Sequence, residues 1–373
     1  MIEHESARRK LPLVIIVTPG GLENGGGIGR MIGYMLDAWA SGAERPAIKI
    51  VDSRGPGHIV FSPLHFAKCL TTIVMNAPRR PLLHIQVAGR GSTIRKIMVV
   101  HLGWALRLPM VLHLHDYNYR QSFQRFPRLI RSAARSMFRL PQRVVVLNKA
   151  ERDFVVATLG VKSDRVEIVP NAVPSPSPNR SAASRLGPPH ILFLGNPSRR
   201  KGVHDLIAAL GTEPLRSLNW CVTIAGGGNE VEIFREQART AGLLERVSLP
   251  GWVDRNVIAD LLESADILVL PSYDEGMAMS VLEGISYGLC IVCTPVGGMA
   301  EVIENNVSGL FIEPGDVRAL ATTLATCISD RTLRARLGAE AANLFKRRFD
   351  VINYPDRMRL IYEAAVKQMA MRN

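Results

Sequence analysis

Two carboxylates eight positions apart, Glu275 and Glu283, stand inside the stretch PSYDEGMAMSVLEGISYGLCIVCTPVGG, residues 271–298. On one continuous helix, eight steps of about 100° would turn the second acid by roughly 80° and raise it by roughly 12 Å. One acid would then stand at the helix mouth and the other two turns further on. The backbone N–H groups around Gly276, Met277 and Ala278 would be the unpaired donors of that helix start, a place suited to a phosphate. Each acid also has a plainer reading, as a solvated surface carboxylate. Two further clusters could do chemistry: the adjacent cations Arg199, Arg200 and Lys201, and the alternate histidines His113 and His115 with Asp116 just past them.

All three clusters fall where an apolar run gives way to a loop. The run 266–270 breaks at Pro271, a helix is expected over about 277–287, and a strand over 289–293 follows Gly288. That is one βαβ unit with its loop at the carboxyl end of the strand, where open parallel sheets bind ligands. A strand over 190–194 leads into the cation loop, and a helix over 203–210 leads out of it. A strand over 110–114 delivers both histidines to the same side. His115 would lie at its open end, facing a cleft, and His113 further inside as a hydrogen-bonded core residue.

The first strand, within 11–17, runs into PGGLENGGGIGR and a helix over about 28–39. The glycines at 25, 27 and 29 miss the G-x-G-x-x-G dinucleotide fingerprint, because its third glycine would fall on Arg30. Either this is a pliant connection, or Gly27 and its neighbours let a phosphate or acceptor approach the backbone closely. Strands are also expected over 48–51, 82–87, 144–147, 166–169 and 222–225, with a loop within 247–253 ahead of a further helix. A helix should start near Thr93, behind Arg90, with Arg95 inside it; both arginines read as phosphate partners or as ordinary surface charge. Read as one helix, residues 123–140 bring Arg128, Arg131, Arg135 and Arg139 within about 80° of arc, opposite Phe126, Ile130, Ala133, Met137 and Leu140.

At 373 residues, 47% of them apolar, the chain suits two domains of ordinary size. Residues 172–189 hold five prolines and no apolar period, which marks a linker. The expected division is 1–171, linker 172–189, 190–350, and a terminal segment 351–373 carrying a closing helix. Five cysteines form neither an even framework nor C-x-x-C pairs, as expected of reduced thiols in the cytoplasm. No apolar run reaches 18 residues, so none is expected to span a bilayer. Charge is uneven: residues 1–175 hold 25 Lys and Arg against 11 acids, and residues 176–373 hold 21 against 22. Nucleic acid, an anionic membrane or an acidic ligand could each explain that asymmetry. Nucleic acid is disfavoured because no aromatic stacking platform accompanies the basic residues. Without a D-x-D motif or a His/Cys cluster, no metal site is expected.

The pattern PS-x-x-EG, LEG-x-x-x-G and T-P-VGG, together with Gly309-Leu310 and Pro314-Gly315-Asp316, resembles the E-x7-E signature of retaining glycosyltransferases of family 4. That resemblance covers most of the C-terminal half. A weaker one, HIQVAGRGSTIRK at 84–96, is similar to exopolysaccharide members of the family. The resemblance implies an α/β fold of two Rossmann-like domains facing across a cleft (the GT-B type), with a nucleotide-sugar donor bound between them. It implies that the closing helix crosses back to the first domain. By this likeness His115 lies near the donor sugar, Glu275 holds sugar hydroxyls and Glu283 ribose hydroxyls. Arg200 and Lys201 would neutralise the diphosphate without a metal. Gly251, Trp252 and Val253 would border the base, although Trp252 reads equally as a core residue. Many relatives carry arginine where this chain has Asn196, which leaves open whether Arg200 supplies the missing cation. A lipid-linked or glycan acceptor at an anionic membrane surface, met by Arg90, Arg128, Arg131, Arg135 and Arg139, would place the protein on the cytoplasmic face of the inner membrane. A sugar-nucleotide epimerase of the same architecture and a basic nucleic-acid-binding protein stand as the alternatives.

Overall fold

The computed structural model describes residues 11–22, 26–40, 45–56, 59–116, 118–176 and 187–371. The chain divides into two compact units, one formed by residues up to Pro170 together with those from Ile352 onward, the other by Asn171–Val351.

The first unit is built on strands β1 (Val14–Thr18), β2 (Ile48–Asp52), β3 (Leu82–Val87), β4 (Met110–Leu114), β5 (Arg143–Val146) and β6 (Val166–Ile168). All pair in parallel, in the order β2-β1-β3-β4-β5-β6. Every residue of β1, β3 and β4 is buried, as parallel strands covered on both faces must be. The connecting helices are α1 (Gly26–Ala40), α2 (Ser62–Asn76), α3 (Gly89–Ala105), α4 (Tyr119–Arg125), α5 (Arg128–Arg139) and α6 (Lys149–Ala157). Right-handed crossovers assign them to faces. The step from β1 to β2 runs one way along the sheet and puts α1 on one face. The steps from β2 through β6 run the other way and put α2 to α6 on the opposite face.

The second unit holds β7 (His190–Leu194), β8 (Cys221–Ala225), β9 (Val247–Gly251), β10 (Ile267–Leu270), β11 (Cys290–Cys293) and β12 (Leu310–Phe311). They too are parallel, in the order β12-β11-β10-β7-β8-β9. Its helices are α7 (Val203–Leu210), α8 (Val231–Thr240), α9 (Arg255–Ser264), α10 (Met279–Ser286), α11 (Met299–Val302), α12 (Val317–Ser329) and α13 (Arg331–Arg348). The last helix, α14 (Tyr354–Ala370), packs in the first unit beside α1, β4 and β5.

Several expected boundaries move. The helix expected over 123–140 is two helices, because Pro127 has no N–H to continue α4 and instead precedes α5. Helix α3 begins at Gly89, four residues before Thr93, and the Thr93 hydroxyl donates back to the Gly89 carbonyl at 3.0 Å. Helix α1 likewise starts early, at Gly26. The first residues of the expected linker are held in the second unit: Val173 N–H donates to the Phe349 carbonyl at 3.0 Å, and Ser175 donates to Asp350 at 2.7 Å. Residues 177–186 of that segment lie outside the described residues. All five cysteines are free thiols, four of them buried.

Candidate functional site

The strand order of the second unit reverses between β7 and β10, which places a crevice outside the carboxyl ends of those two strands. The loops that follow them meet there. Lys201 Nζ pairs with Glu275 Oε1, Ser272 Oγ donates to the same oxygen at 3.0 Å, and Arg200 stands 3.7 Å from it. Arg200 also donates to the Asp274 carbonyl at 2.6 Å. The Lys201 and Glu275 side chains are only 13% and 8% exposed.

Local sequence explains the geometry. Ser198 accepts from the Lys201 N–H and starts a single 3-10 turn that turns Lys201 inward and leaves Arg199 and Arg200 exposed. Gly202 follows at φ +70°, where a Cβ would come within 2.0 Å of the Pro271 carbonyl, so glycine alone lets the β7 loop close on the β10 loop. From the other side Gly297, at φ +58°, lies against the Glu275 carbonyl, and Gly298 N–H donates to Gly276 at 2.6 Å. Thr294 Oγ1 donates to the Ser272 carbonyl at 2.6 Å. The Val-Gly-Gly segment after β11 is therefore a backbone clamp on the Glu275 loop.

Helix α10 starts at Met279, capped by Ala278, two residues later than expected. Glu275, Gly276, Met277 and Ala278 thus precede it, and the two acids do not share one helix. No side-chain cap bond marks this start, and the pair of N–H groups on Met279 and Ser280 comes before any intrahelical acceptor. Glu283 is the fifth helical residue. At 6% and 3% exposure, Glu275 and Glu283 are not solvated surface acids.

Two contributors escaped the sequence reading. Ser272 was visible only as part of a Pro-Ser pair. Asn171 enters from the start of the unit, and its amide donates to the Met277 carbonyl at 3.2 Å. Its Oδ1 is buried without a protein partner among the described residues.

At the end of β9, Gly251 adopts φ +77° and its carbonyl accepts from Gly226 N–H at 2.8 Å. Trp252 is 77% exposed, which rules out the core reading. It stands beside Gly227, where a Cβ would approach the Trp252 Cβ to 3.0 Å. Val253 is half-buried and Asn196 exposed.

The first unit carries a separate polar chain. His113 is buried on β4, with His84 Nε2 3.3 Å from its Nδ1. His115 is half-buried rather than simply open: its Nε2 bonds Gln86 Oε1 and its ring lies 4.0 Å from that of His113. Gln86 Nε2 reaches His84 Nε2 at 3.0 Å, and Tyr362 of α14 reaches His84 Nδ1 at 2.8 Å. Burial pushes His84 and His115 down to about 3, and His113 well below its ordinary value. All three imidazoles are neutral near pH 7.

Of the glycine loop, residues 23–25 lie outside the described residues. Gly27 is exposed in the first turn of α1; the position that needs glycine is Gly29, where a Cβ would meet the Leu22 carbonyl at 2.3 Å. Arg90 is exposed on α3, Arg128 exposed on α5 and Arg131 half-buried. All four arginines of the expected stripe lie on α5, and two of them bond within the unit. Arg139 donates to the Leu159 carbonyl at 2.8 Å, and Arg135 lies over the Phe123 ring, since both face the segment after α6 instead of solvent alone. Among the described residues no three His, Cys, Asp or Glu form a group able to hold a metal ion. No helix among them is long and apolar enough to cross a membrane.

Comparison with known proteins sets these two units in a family. Residues 26–172 match the glycosyl transferase 4-like domain model, and residues 178–344 match the model of glycosyl transferases group 1. Glycogen synthase of Mycobacterium tuberculosis is 27% identical over 56% of this chain. The chain spans 50% of that relative's length. Sucrose-phosphate synthase from Thermosynechococcus elongatus shares the fold at TM-score 0.78 and 17% identity, over 96% of this chain and 100% of that one. Anabaena HepE, solved in complex with UDP-glucose, does so at TM-score 0.74 and 19% identity, over 95% and 100%. With two parallel α/β units of the GT-B kind, each matched by its own model, the chain belongs to the glycosyltransferases that join a 4-like domain to a group 1 domain.

Proposed function

We propose that the chain transfers a hexosyl group from a nucleotide-sugar, with UDP as the carrier, to a hydroxyl acceptor, with retention of configuration and without a metal. The observation that carries this reading is the cluster of Lys201, Arg200, Ser272 and Glu275 at the reversal point of the second sheet, beside the start of α10. A diphosphate leaving group develops negative charge, which two cations and the helix-start N–H groups of Met279 and Ser280 can meet. Glu275, anchored by Ser272, would exchange its lysine contact for sugar hydroxyls as Lys201 turns to the diphosphate. Glu283 would hold the ribose, and the exposed Trp252 with Gly251 and Val253 would border the base. In the first unit His115, neutral and donating its Nε2–H to Gln86 Oε1, keeps Nδ1 as an acceptor for one hydrogen bond but cannot act as a cationic acid. The solved HepE complex with UDP-glucose supports UDP as the first carrier to try. The acceptor we assign is a lipid-linked glycan of cell-surface polysaccharide synthesis, met at an anionic membrane surface.

Calorimetric titration of UDP, GDP, ADP and their glucose conjugates into wild type and Glu283→Ala tests this. One nucleotide series should bind at micromolar strength, and the variant should lose about 1–3 kcal/mol, as for a hydrogen bond to a charged group. Binding by none of them would overturn the reading. Conversion of a bound donor to its epimer in the absence of acceptor would replace the transferase with an epimerase.

A further inference from the structure

Between residues 59 and 140 the sequence has 13 lysines and arginines and a single acid, Asp116. That stretch supplies α2, α3, α4 and α5, which lie on one face of the first sheet, with α3 packed against α2, α4 and α5. None of these four helices contains an acidic residue. The face is also unusually apolar for an exposed one. Phe61 and Leu64 at the start of α2, Ile94 and Met98 on α3, and Leu129 at the start of α5 are 50% to 83% exposed. Arg90 precedes Ile94 by one helical turn and Arg128 adjoins Leu129, both exposed. At the carboxyl edge of the sheet, three neighbouring helix starts therefore each present a large apolar side chain, two of them with an arginine alongside.

Exposed basic charge alone fits any polyanion. Large aliphatic side chains do not suit a nucleic acid, whose grooves and backbone offer them little, but they suit the boundary between headgroups and acyl chains. An acidic protein surface would pair with the arginines but would leave these large apolar side chains against charged groups. We infer that the outer face of α2, α3 and α5 seats the first unit on an anionic lipid surface, with Phe61, Leu64, Ile94 and Leu129 entering the interface and Arg90 and Arg128 meeting the headgroups. Arg135 and Arg139, tied to neighbouring segments of the unit, are not the principal contacts. The inference rests on the proposed lipid-linked acceptor for its purpose, but its residues are separate from the donor cluster.

The test is co-sedimentation of the full chain with vesicles of phosphatidylcholine alone and of phosphatidylcholine mixed with phosphatidylglycerol, at low and raised salt. Wild type should follow the mixed vesicles and remain behind with phosphatidylcholine. Raised salt should weaken binding without abolishing it, because insertion of apolar groups is not screened. Leu64→Ser/Ile94→Ser/Leu129→Ser should bind mixed vesicles about tenfold or more weakly, since each change removes buried apolar area. The same variant should bind the nucleotide donor as wild type does, which shows that it folds. No binding of wild type to mixed vesicles, or undiminished binding by the triple variant, would overturn the inference. Binding to duplex DNA that the triple variant retains would assign the face to nucleic acid instead. Vesicle binding without any donor binding would leave this surface standing and remove the transferase reading; donor binding without vesicle binding would do the reverse.

Discussion

Replacing Lys201 by methionine removes the cation nearest Glu275 while keeping most of the side-chain volume. The carboxylate stays 8% exposed, with the Ser272 hydroxyl at 3.0 Å and Arg200 at 3.7 Å as its remaining partners. Breaking a fully buried pair costs about 3–5 kcal/mol, because a charge is left uncompensated. The nearby guanidinium recovers part of that, so we expect a loss of about 2 kcal/mol in the second unit. For a unit of this size that is a fall of about 4–8 °C in its melting transition. Glu275→Gln should also destabilise, since it strands Lys201. The decisive quantity is the double variant. If the two groups interact as they are placed, Lys201→Met/Glu275→Gln should be more stable than the sum of the singles by about 1–2 kcal/mol. The measurement is urea unfolding of all four proteins, following the transition of the second unit separately because a two-unit chain need not unfold in one step. Single effects that add to within about 0.5 kcal/mol would show that the pair does not form in solution. The geometry from which the donor site is argued would then be wrong.

Three other outcomes follow from the same structure. Gly297→Ala forces a Cβ against the Glu275 carbonyl at a φ of +58°, and should cost about 1–3 kcal/mol in melting experiments while weakening donor binding through the displaced loop. Trp252→Ala should leave the melting temperature unchanged, since the side chain is 77% exposed, yet weaken nucleotide binding by about 1–2 kcal/mol if the ring stacks on the base. His84 and His115 have folded-state values of about 3, below the ordinary 6.5, so the unfolded chain binds more protons between those limits. Their stabilising contribution is complete above 6.5 and is lost as pH falls, by about 1.4 kcal/mol per pH unit for each histidine. Urea midpoints of the first unit at pH 7 and pH 5 should therefore differ, and His84→Gln should reduce the difference.

What could be read from sequence was what neighbouring residues decide. The strands were legible because both faces of each parallel sheet are covered, which leaves runs such as 14–17 and 267–270 apolar throughout. The two acids were legible because their spacing lies in one loop and one helix. The helix start was misplaced because Ala278 offers no side-chain cap to mark it, and glycine before it reads as helix mouth as well as loop. The arginine stripe was legible as a face of α5, but the partners of two of its members were not. Angular position on a helix says which side Arg135 and Arg139 take, but their acceptors, the Thr158 and Leu159 carbonyls, lie about twenty residues further along. The site itself is assembled from such distant partners: Lys201 reaches Glu275 across 74 positions and Asn171 reaches Met277 across 106. No local period encodes those separations. They follow from strand order, because β7 and β10 become neighbours only when the chain reverses its direction along the sheet. The glycines mark where this happened. Gly202 and Gly297 hold φ values that L-residues avoid, each against a backbone carbonyl of the β10 loop. A sequence shows such glycines as loop residues, and only the fold shows that two of them close on the loop that carries Glu275.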